Sequence, residues 1–220
     1  MQLQIAPSIL SADFSALGKD IEMLNGCADL IHLDIMDGSF VPNISFGFPV
    51  VEAVAKYARI PMDAHLMVVH PERWVGRCAE LGVSMMSFHQ EAAGDDTAAI
   101  LADIRAHGMK AGLVINPDIP VETLFPYIGQ ADYFLIMSVF AGFGGQKFIT
   151  ESLDKIKALK KEMDRRGLDA PIEVDGGVNA ENAQLLKKAG ASILVAGSSV
   201  FNAADPAEAI AQLRGGTHAC

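Results

Sequence analysis

Apolar, often β-branched runs recur along the chain at Gln4–Ile9, Leu30–Asp34, Met62–Leu66, Met85–Phe88, Lys110–Ile115, Tyr133–Ile136, Ile172–Asp175 and Ile193–Ala196. Between them the apolar positions change to helical spacing, at Ala16–Asn25, Pro49–Ala58, Pro71–Leu81, Thr97–His107, Ser152–Arg166 and Ala180–Ala189. Short helices are expected after Val121 and Pro206. Strands that alternate with helices imply parallel pairing, and eight such units in 220 residues favour one closed (β/α)8 TIM barrel of the α/β class. An open, doubly wound sheet is the alternative. No linker, low-complexity tract or charge block marks a second domain, so residues 1–220 read as one catalytic domain with a disordered tail at 215–220.

Half of the residues are hydrophobic, enough for a large single core. No run approaches the roughly 18 apolar residues of a membrane span, and Met1 to Ile9 lacks the basic start and cleavage site of a secretory signal. A cytoplasmic protein with no membrane partner is therefore expected. The 17 basic and 27 acidic residues give a net charge of −10, with basic residues scattered apart from the pairs Lys160-Lys161, Arg165-Arg166 and Lys187-Lys188. Phosphate-backbone binding needs clustered positive charge, so a nucleic-acid partner is not expected. Cys27, Cys78 and Cys220 fit neither a disulfide framework nor a Cys-rich metal site and read as reduced thiols.

Barrels of this kind place their chemistry where strands end and βα loops begin. Polar residues collect there: Ser8, His32 with Asp34, His65, His89, Asn116 and Asp175. The period-2 geometry of a strand puts His32, Asp34 and Met36 on one face and Ile31, Leu33 and Ile35 on the other; the apolar set should meet the helices. Asp63, His65 and Met67 share a face in the same way, as do Glu173 and Asp175. Two imidazoles and two carboxylates, His32, Asp34, His65 and Asp175, thus converge on one barrel mouth. Each alone is compatible with a satisfied structural group, but together they suit Zn²⁺ or another divalent first-row metal.

Glycines form a second group. Gly142-Phe143-Gly144-Gly145 follows the sixth strand, Gly176-Gly177 the seventh and Gly197-Ser198-Ser199 the eighth. Glycines also make ordinary tight turns. Loops after the last two strands are nevertheless the common phosphate site of this fold, where backbone N–H groups and a short helix N-terminus face the anion. Metal, acid/base candidates and phosphate loops together point to proton transfer beside a carbonyl. A positioned base supplies about 10²–10⁴-fold, or about 3–5 kcal/mol, while enzymatic accelerations need about 8–23 kcal/mol. Metal and preorganised dipoles are the natural source of the remainder.

The stretches Ile5-Ala6-Pro7-Ser8-Ile9-Leu10-Ser11-Ala12-Asp13-Phe14, His32-Leu33-Asp34-Ile35-Met36-Asp37-Gly38 with Phe40-Val41-Pro42-Asn43, Asp63-Ala64-His65-Leu66-Met67, Gly142-Phe143-Gly144-Gly145-Gln146 and Glu173-Val174-Asp175-Gly176-Gly177 resemble the ribulose-phosphate 3-epimerase family over nearly the whole chain. The resemblance implies a ribulose-phosphate-binding type of barrel and a ketose phosphate substrate. It also implies one divalent metal per chain, Zn first with Fe, Mn or Co as alternatives, and a homo-oligomer. His32, Asp34, His65 and Asp175 are similar to the family's metal ligands, with Asp34 and Asp175 also its acid/base pair. Ser8 and His65 resemble substrate contacts, and Gly142, Phe143, Gly144, Gly145, Gly176, Gly177, Gly197 and Ser198 the phosphate grip. Met36, Met67 and Met137 look like methionines lining a planar intermediate; without the resemblance they read as polarizable core filler. The chain departs from the family at Phe140-Ala141, where a polar residue followed by Pro is usual. Competing readings are an allulose-6-phosphate 3-epimerase, a metal-free phosphate barrel and a noncatalytic sugar-phosphate binding barrel. The second of these would want a Lys near a strand's C-terminal end, and Lys110 begins its strand instead.

Overall fold

The structure, a computed structural model, describes residues 3–216. Eight parallel strands run in the order β1-β8-β7-β6-β5-β4-β3-β2. They are β1 Gln4–Pro7, β2 Ile31–Met36, β3 Met62–Met67, β4 Met85–His89, β5 Lys110–Ile115, β6 Tyr133–Met137, β7 Ile172–Asp175 and β8 Ile193–Ala196. The ring is nearly closed where β1 meets β2, through a parallel bridge between Ser8 and His32 and a bond from Leu30 N to Ile5 O. The chain is therefore a (β/α)8 barrel, not an open sheet.

Helices α1 Leu17–Cys27, α2 Phe48–Tyr57, α3 Val75–Glu80, α4 Gln90–Ala93, α5 Thr97–Ala106, α6 Ser152–Arg165, α7 Ala180–Ala189, α8 Ser198–Phe201 and α9 Pro206–Arg214 connect the strands, with 3₁₀ turns at Ile9–Ser11, Pro71–Trp74, Gly94–Asp96 and Val121–Tyr127. The helix expected over Pro71–Leu81 is thus a 3₁₀ turn followed by α3. Its Pro71 occupies the first turn, where the missing N–H costs no bond. Asn179 opens α7 with a capping box, and Asp205 caps α9 through Ala207 N and Glu208 N. Gly215, in the left-handed conformation, ends α9; most of the tail expected at 215–220 lies outside the described residues.

Strand parity sorts the core into two regions. Ile31, Leu33, Ala64, Leu66, Phe134, Ile136 and Val174 face outward and pack with Ile21, Val54, Leu101, Leu159 and Leu186 of the helices. Inside the barrel, Ala6, Leu30, Met85, Tyr133, Ile193 and Val195 form an apolar floor. Above that floor His32, Asp34, Asp63, His65, Ser87, His89 and Glu173 are buried, so the polar side chains stack toward the C-terminal mouth. The floor matters to the site because it excludes water from beneath these charges and raises the strength of every electrostatic contact above it.

Candidate metal centre and active site

The four residues picked out by parity come together at the mouth. Each of His32, Asp34, His65 and Asp175 offers a ligand atom, and these atoms all lie within 4.8 Å of one another. His32 Nε2 is 3.3 Å from Asp34 Oδ1, while His65 Nδ1 is 3.2 Å from the same oxygen and 3.8 Å from Asp175 Oδ2. Strands β2 and β3 produce this closeness directly, because their register sets Asp34 beside His65 and His32 beside Asp63. His32 Nε2 is buried and makes no hydrogen bond. A buried ring nitrogen that has no hydrogen bond and lies beside the Asp34 carboxylate is available to a cation, and the mixed imidazole–carboxylate donor set fits a divalent first-row metal.

Protonation preferences in the cluster are pushed apart. Burial works against ionised Asp34, but the neighbouring His32 and His65 outweigh it and hold that carboxyl far below the usual carboxylate range. Burial and the charge of Asp34 push Asp175 up to about 7. For His32, burial disfavours the charged ring, yet Asp34 and Asp63 raise its pKa well above the usual value. Burial lowers His65 to about 4. His65 is therefore a neutral ring at pH 7, and Asp34 and Asp175 are an ionised and a readily protonated carboxyl facing one space.

A cleft opens above the cluster. It is lined by Ser8, Asp34, Met36, Met67, Met137, Gly142, Phe143, Gly144, Gly145, Asp175, Gly176, Gly177, Gly197 and Ser198, with Leu10, Ser11, Val139 to Ala141, Gln146, Val178 and Val195. His65, expected as a substrate contact as well as a metal ligand, is fully buried beneath the cleft and does not line it. The Ser8 hydroxyl donates to Asp34 Oδ2 and accepts from Leu10 N, tying the first 3₁₀ turn to the acid/base candidate.

The glycine loops approach each other closely. Gly176 and Gly177 have φ of 119° and 62°, a region that side chains disfavour, and a Cβ on Gly177 would lie 2.5 Å from Phe148 N. The loop after β6, which carries Phe140-Ala141, is pinned by hydrogen bonds. Ala141 N donates to Asn116 Oδ1 at 3.1 Å, Asn43 Nδ2 to Gly142 O at 2.7 Å, and Gln146 Nε2 to the carbonyls of Phe140 and Phe143 at 2.7 and 2.8 Å. Phe140 and Phe143 are half exposed at the cleft's rim.

Sequence reasoning placed Asp63, Glu173, His89 and Asn116 on the barrel's interior or rim without giving them a role, and it passed over Tyr133. Tyr133 opens an apolar strand, and its only signal was inward parity. The structure joins Tyr133 to Asp63 and His89 to both His65 and Asn116, with 2.9 Å between His65 Nε2 and His89 Nε2. Glu173 has neither oxygen hydrogen-bonded, and burial together with the adjacent Asp63 charge raises its pKa well above the usual range. His70 and His107 are exposed, Cys27 and Cys78 are buried thiols, and Cys220 lies outside the described residues.

Residues 4–201 match the model of the ribulose-phosphate 3 epimerase family. The chain belongs to that family. It is 47% identical over 215 residues to the ribulose-phosphate 3-epimerase of Bacillus subtilis, covering 97% of this chain and 99% of that one. It is 46% identical over 210 residues to the protein of the same name from Mycobacterium tuberculosis, covering 96% and 91%. A Synechocystis relative with that name is 49% identical over 212 residues, covering 96% and 92%. Among solved structures, a 3-hexulose-6-phosphate synthase aligns with a TM-score of 0.69 at 20% identity, over 98% of this chain and 99% of the other. KGPDC from Streptococcus mutans aligns at 0.73 and 13% identity, over 98% and 97%. At that identity these two show the barrel fold alone. Membership makes the chain an epimerase, and its buried histidines and carboxylates form a group able to hold a metal ion. Among the described residues no helix is long and apolar enough to cross a membrane.

Proposed function

We propose that the chain is a metal-dependent 3-epimerase interconverting D-ribulose 5-phosphate and D-xylulose 5-phosphate by proton transfer between two carboxyl groups. The observation that carries this reading is the pair Asp34 and Asp175: two carboxyls lining one cleft whose surroundings differ, His32 and His65 holding Asp34 far below the usual carboxylate range while burial and the Asp34 charge push Asp175 up to about 7. Environments that separate the pKa values of two titratable groups assign the base and the acid. His32, Asp34, His65 and Asp175 would hold the cation, with Zn²⁺ favoured by the donor set. When bound, it would supply Lewis-acid stabilisation of negative charge developing on the substrate.

The work of the chain follows from the geometry. One carboxylate takes the proton from C3, the C3–H electron pair flows toward the C2 carbonyl, and a planar enediolate forms. The other carboxyl returns a proton to C3 on the opposite face, so the product leaves with inverted configuration and the two carboxyls have exchanged protonation states. The Ser8 hydroxyl, bonded to Asp34, orients that carboxylate. Met36, Met67 and Met137 line the cleft and shield the planar intermediate from water, polarizable enough to sit against it. The phosphate is held by backbone N–H groups of Gly144, Gly145, Gly176, Gly177, Gly197 and Ser198, with Gly142 and Phe143 shaping the same wall. First-turn amides such as those of α8 have no intrahelical acceptor and suit an anion. A cytoplasmic homo-oligomer acting on a small ketose phosphate completes the reading; one relative, from rice, is named a cytoplasmic isoform.

The test is to incubate the metal-replete protein with ribulose 5-phosphate, xylulose 5-phosphate and allulose 6-phosphate in heavy water and to follow deuterium entry at C3. Rapid exchange and epimerisation of the two pentulose phosphates is expected. Preference for the hexulose phosphate would move the chain to the allulose-6-phosphate specificity, and binding without exchange would leave only a sugar-phosphate binding barrel.

A further inference from the structure

Beneath the metal centre the barrel carries a second polar layer that the proton transfer does not use. His32 presents its two ring nitrogens to two levels. Nε2 faces Asp34 above, and Nδ1 lies 2.8 Å from Asp63 Oδ2 below. Asp63 is fully buried, and its other oxygen accepts the Tyr133 hydroxyl at 2.9 Å, although the two residues are 70 positions apart in sequence. Tyr133 reaches Asp63 because β5 carries Gly112 opposite it: a Cβ there would lie 2.3 Å from the Tyr133 Cζ. A glycine, a tyrosine and an aspartate on three strands are thus arranged around one imidazole nitrogen.

We propose that Asp63, braced by Tyr133, is the positioning residue of the metal centre, accepting a hydrogen bond from the Nδ1–H of His32 and leaving its Nε2 lone pair facing Asp34, His65 and Asp175. The proposal rests on the reading that those four residues hold a divalent cation. A cation on Nε2 requires the neutral imidazole, which has one donor and one acceptor nitrogen, and a carboxylate can only accept. With Asp63 on Nδ1, that nitrogen must carry the proton, so Nε2 is the bare one. Nε2 makes no hydrogen bond, so no protein donor or acceptor competes with a cation there. Glu173 also approaches Nδ1, but at 3.5 Å and without a hydrogen bond, so Asp63 is the acceptor. The second histidine differs: behind His65 stands the His89 ring rather than a carboxylate. Outer carboxylates of this kind fix a ligand's tautomer and orientation and raise its basicity.

His32, Asp63 and Glu173 also bring ligand atoms within 4.8 Å of one another, so a second cation in the lower layer is the rival account. The hydrogen bond already engaging Nδ1 argues against it.

The experiment titrates Zn²⁺ into metal-stripped protein in competition with a chromophoric chelator, for the wild type and for Asp63→Asn, Asp63→Ala and Tyr133→Phe. Wild-type protein should bind one equivalent. Asp63→Asn should bind about 10–100-fold more weakly, Asp63→Ala more weakly still, and Tyr133→Phe should shift the same way by less. Val54→Ala, in the helix layer, should lower stability and leave Zn²⁺ affinity unchanged, which separates positioning from general destabilisation. In Zn²⁺-loaded, ¹⁵N-labelled wild type, the His32 Nδ1 proton should be slowly exchanging, and Asp63→Ala should abolish that signal. If the Asp63 variants fail to fold, Tyr133→Phe, which keeps the ring packing, carries the test. Unchanged affinity in the folded variants, or two equivalents of Zn²⁺ in the wild type, overturns the assignment. Absence of binding by the wild type would instead overturn the metal reading beneath it.

Discussion

Gly177 and Gly145 lie in the same cleft wall with nearly the same backbone conformation, φ of 62° and 71°, but in different surroundings. A Cβ on Gly177 would lie 2.5 Å from Phe148 N and 2.9 Å from Gln146 O, whereas one on Gly145 would meet nothing within 4 Å. Gly145→Ala therefore incurs only the left-handed penalty of about 1–2 kcal/mol. Gly177→Ala incurs that penalty and a collision with backbone that no rotamer relieves, of the order of the 1–3 kcal/mol typical of overpacking. The loss of unfolded-chain entropy that alanine brings is common to both and cancels in the comparison. The two variants should thus differ by about 1–3 kcal/mol, which at about 2–4 °C per kcal/mol for a chain of this size is roughly 2–12 °C in Tm. Urea unfolding at constant m and thermal melts measure the difference, and steady-state kinetics with the pentulose phosphate should show KM raised in Gly177→Ala, because the segment from Gln146 to Phe148 must move. Equal destabilisation of the two variants would refute the steric reasoning, and an unchanged KM in Gly177→Ala would remove this loop from the phosphate site.

Removing the metal should abolish activity and lower Tm. Zn²⁺ at about 1,000 times its Kd contributes about 4 kcal/mol to the folded state, or roughly 8–16 °C; activity that survives complete chelation would contradict the metal assignment. Asp132 gives a pH test away from the site. Burial would raise its pKa, but the Arg105 guanidinium at 2.6 Å and the Ala111 N–H hold it below the usual carboxylate value. A depressed carboxylate pKa contributes stability above the unfolded value of about 3.9 and loses it as pH falls through the folded value. Asp132→Asn should therefore be less stable than wild type at pH 7, and the gap should close in acid denaturation series below about pH 4.

Much of this architecture is legible in the sequence because strand parity is a local signal. Ile172–Asp175 and Ile193–Ala196 read to the residue, and alternation along Ile31–Met36 separates His32, Asp34 and Met36 from their outward neighbours. What parity does not give is depth. Asp63 and His65 share a face, yet His65 belongs to the metal level and Asp63 to the layer beneath, a difference set by how β2 and β3 are staggered. Contacts such as Tyr133 to Asp63 and His89 to Asn116 join residues on separate strands, and no periodicity within one strand announces them. The split of the helix at Pro71–Glu80 was hidden for a different reason: a 3₁₀ turn and an α-turn carry similar apolar spacing over so few residues. Trp74, at the junction, packs against Phe48 of α2 with ring centroids 5.2 Å apart and the rings tilted by 40°, a tertiary contact outside any local window.

The central claim is that Asp34 and Asp175 move protons on opposite faces of one substrate, and C3 exchange in heavy water by metal-replete Asp34→Asn and Asp175→Asn tests it most directly. Each variant should lose epimerisation by about 10²–10⁴-fold, the contribution of a positioned acid or base. Each should still exchange C3 deuterium from one epimer only, because the surviving carboxyl can remove and return a proton on its own side. Metal content measured on the same samples separates loss of the proton carrier from loss of the ion. Near-normal epimerisation by either metal-replete variant would contradict the two-carboxyl account.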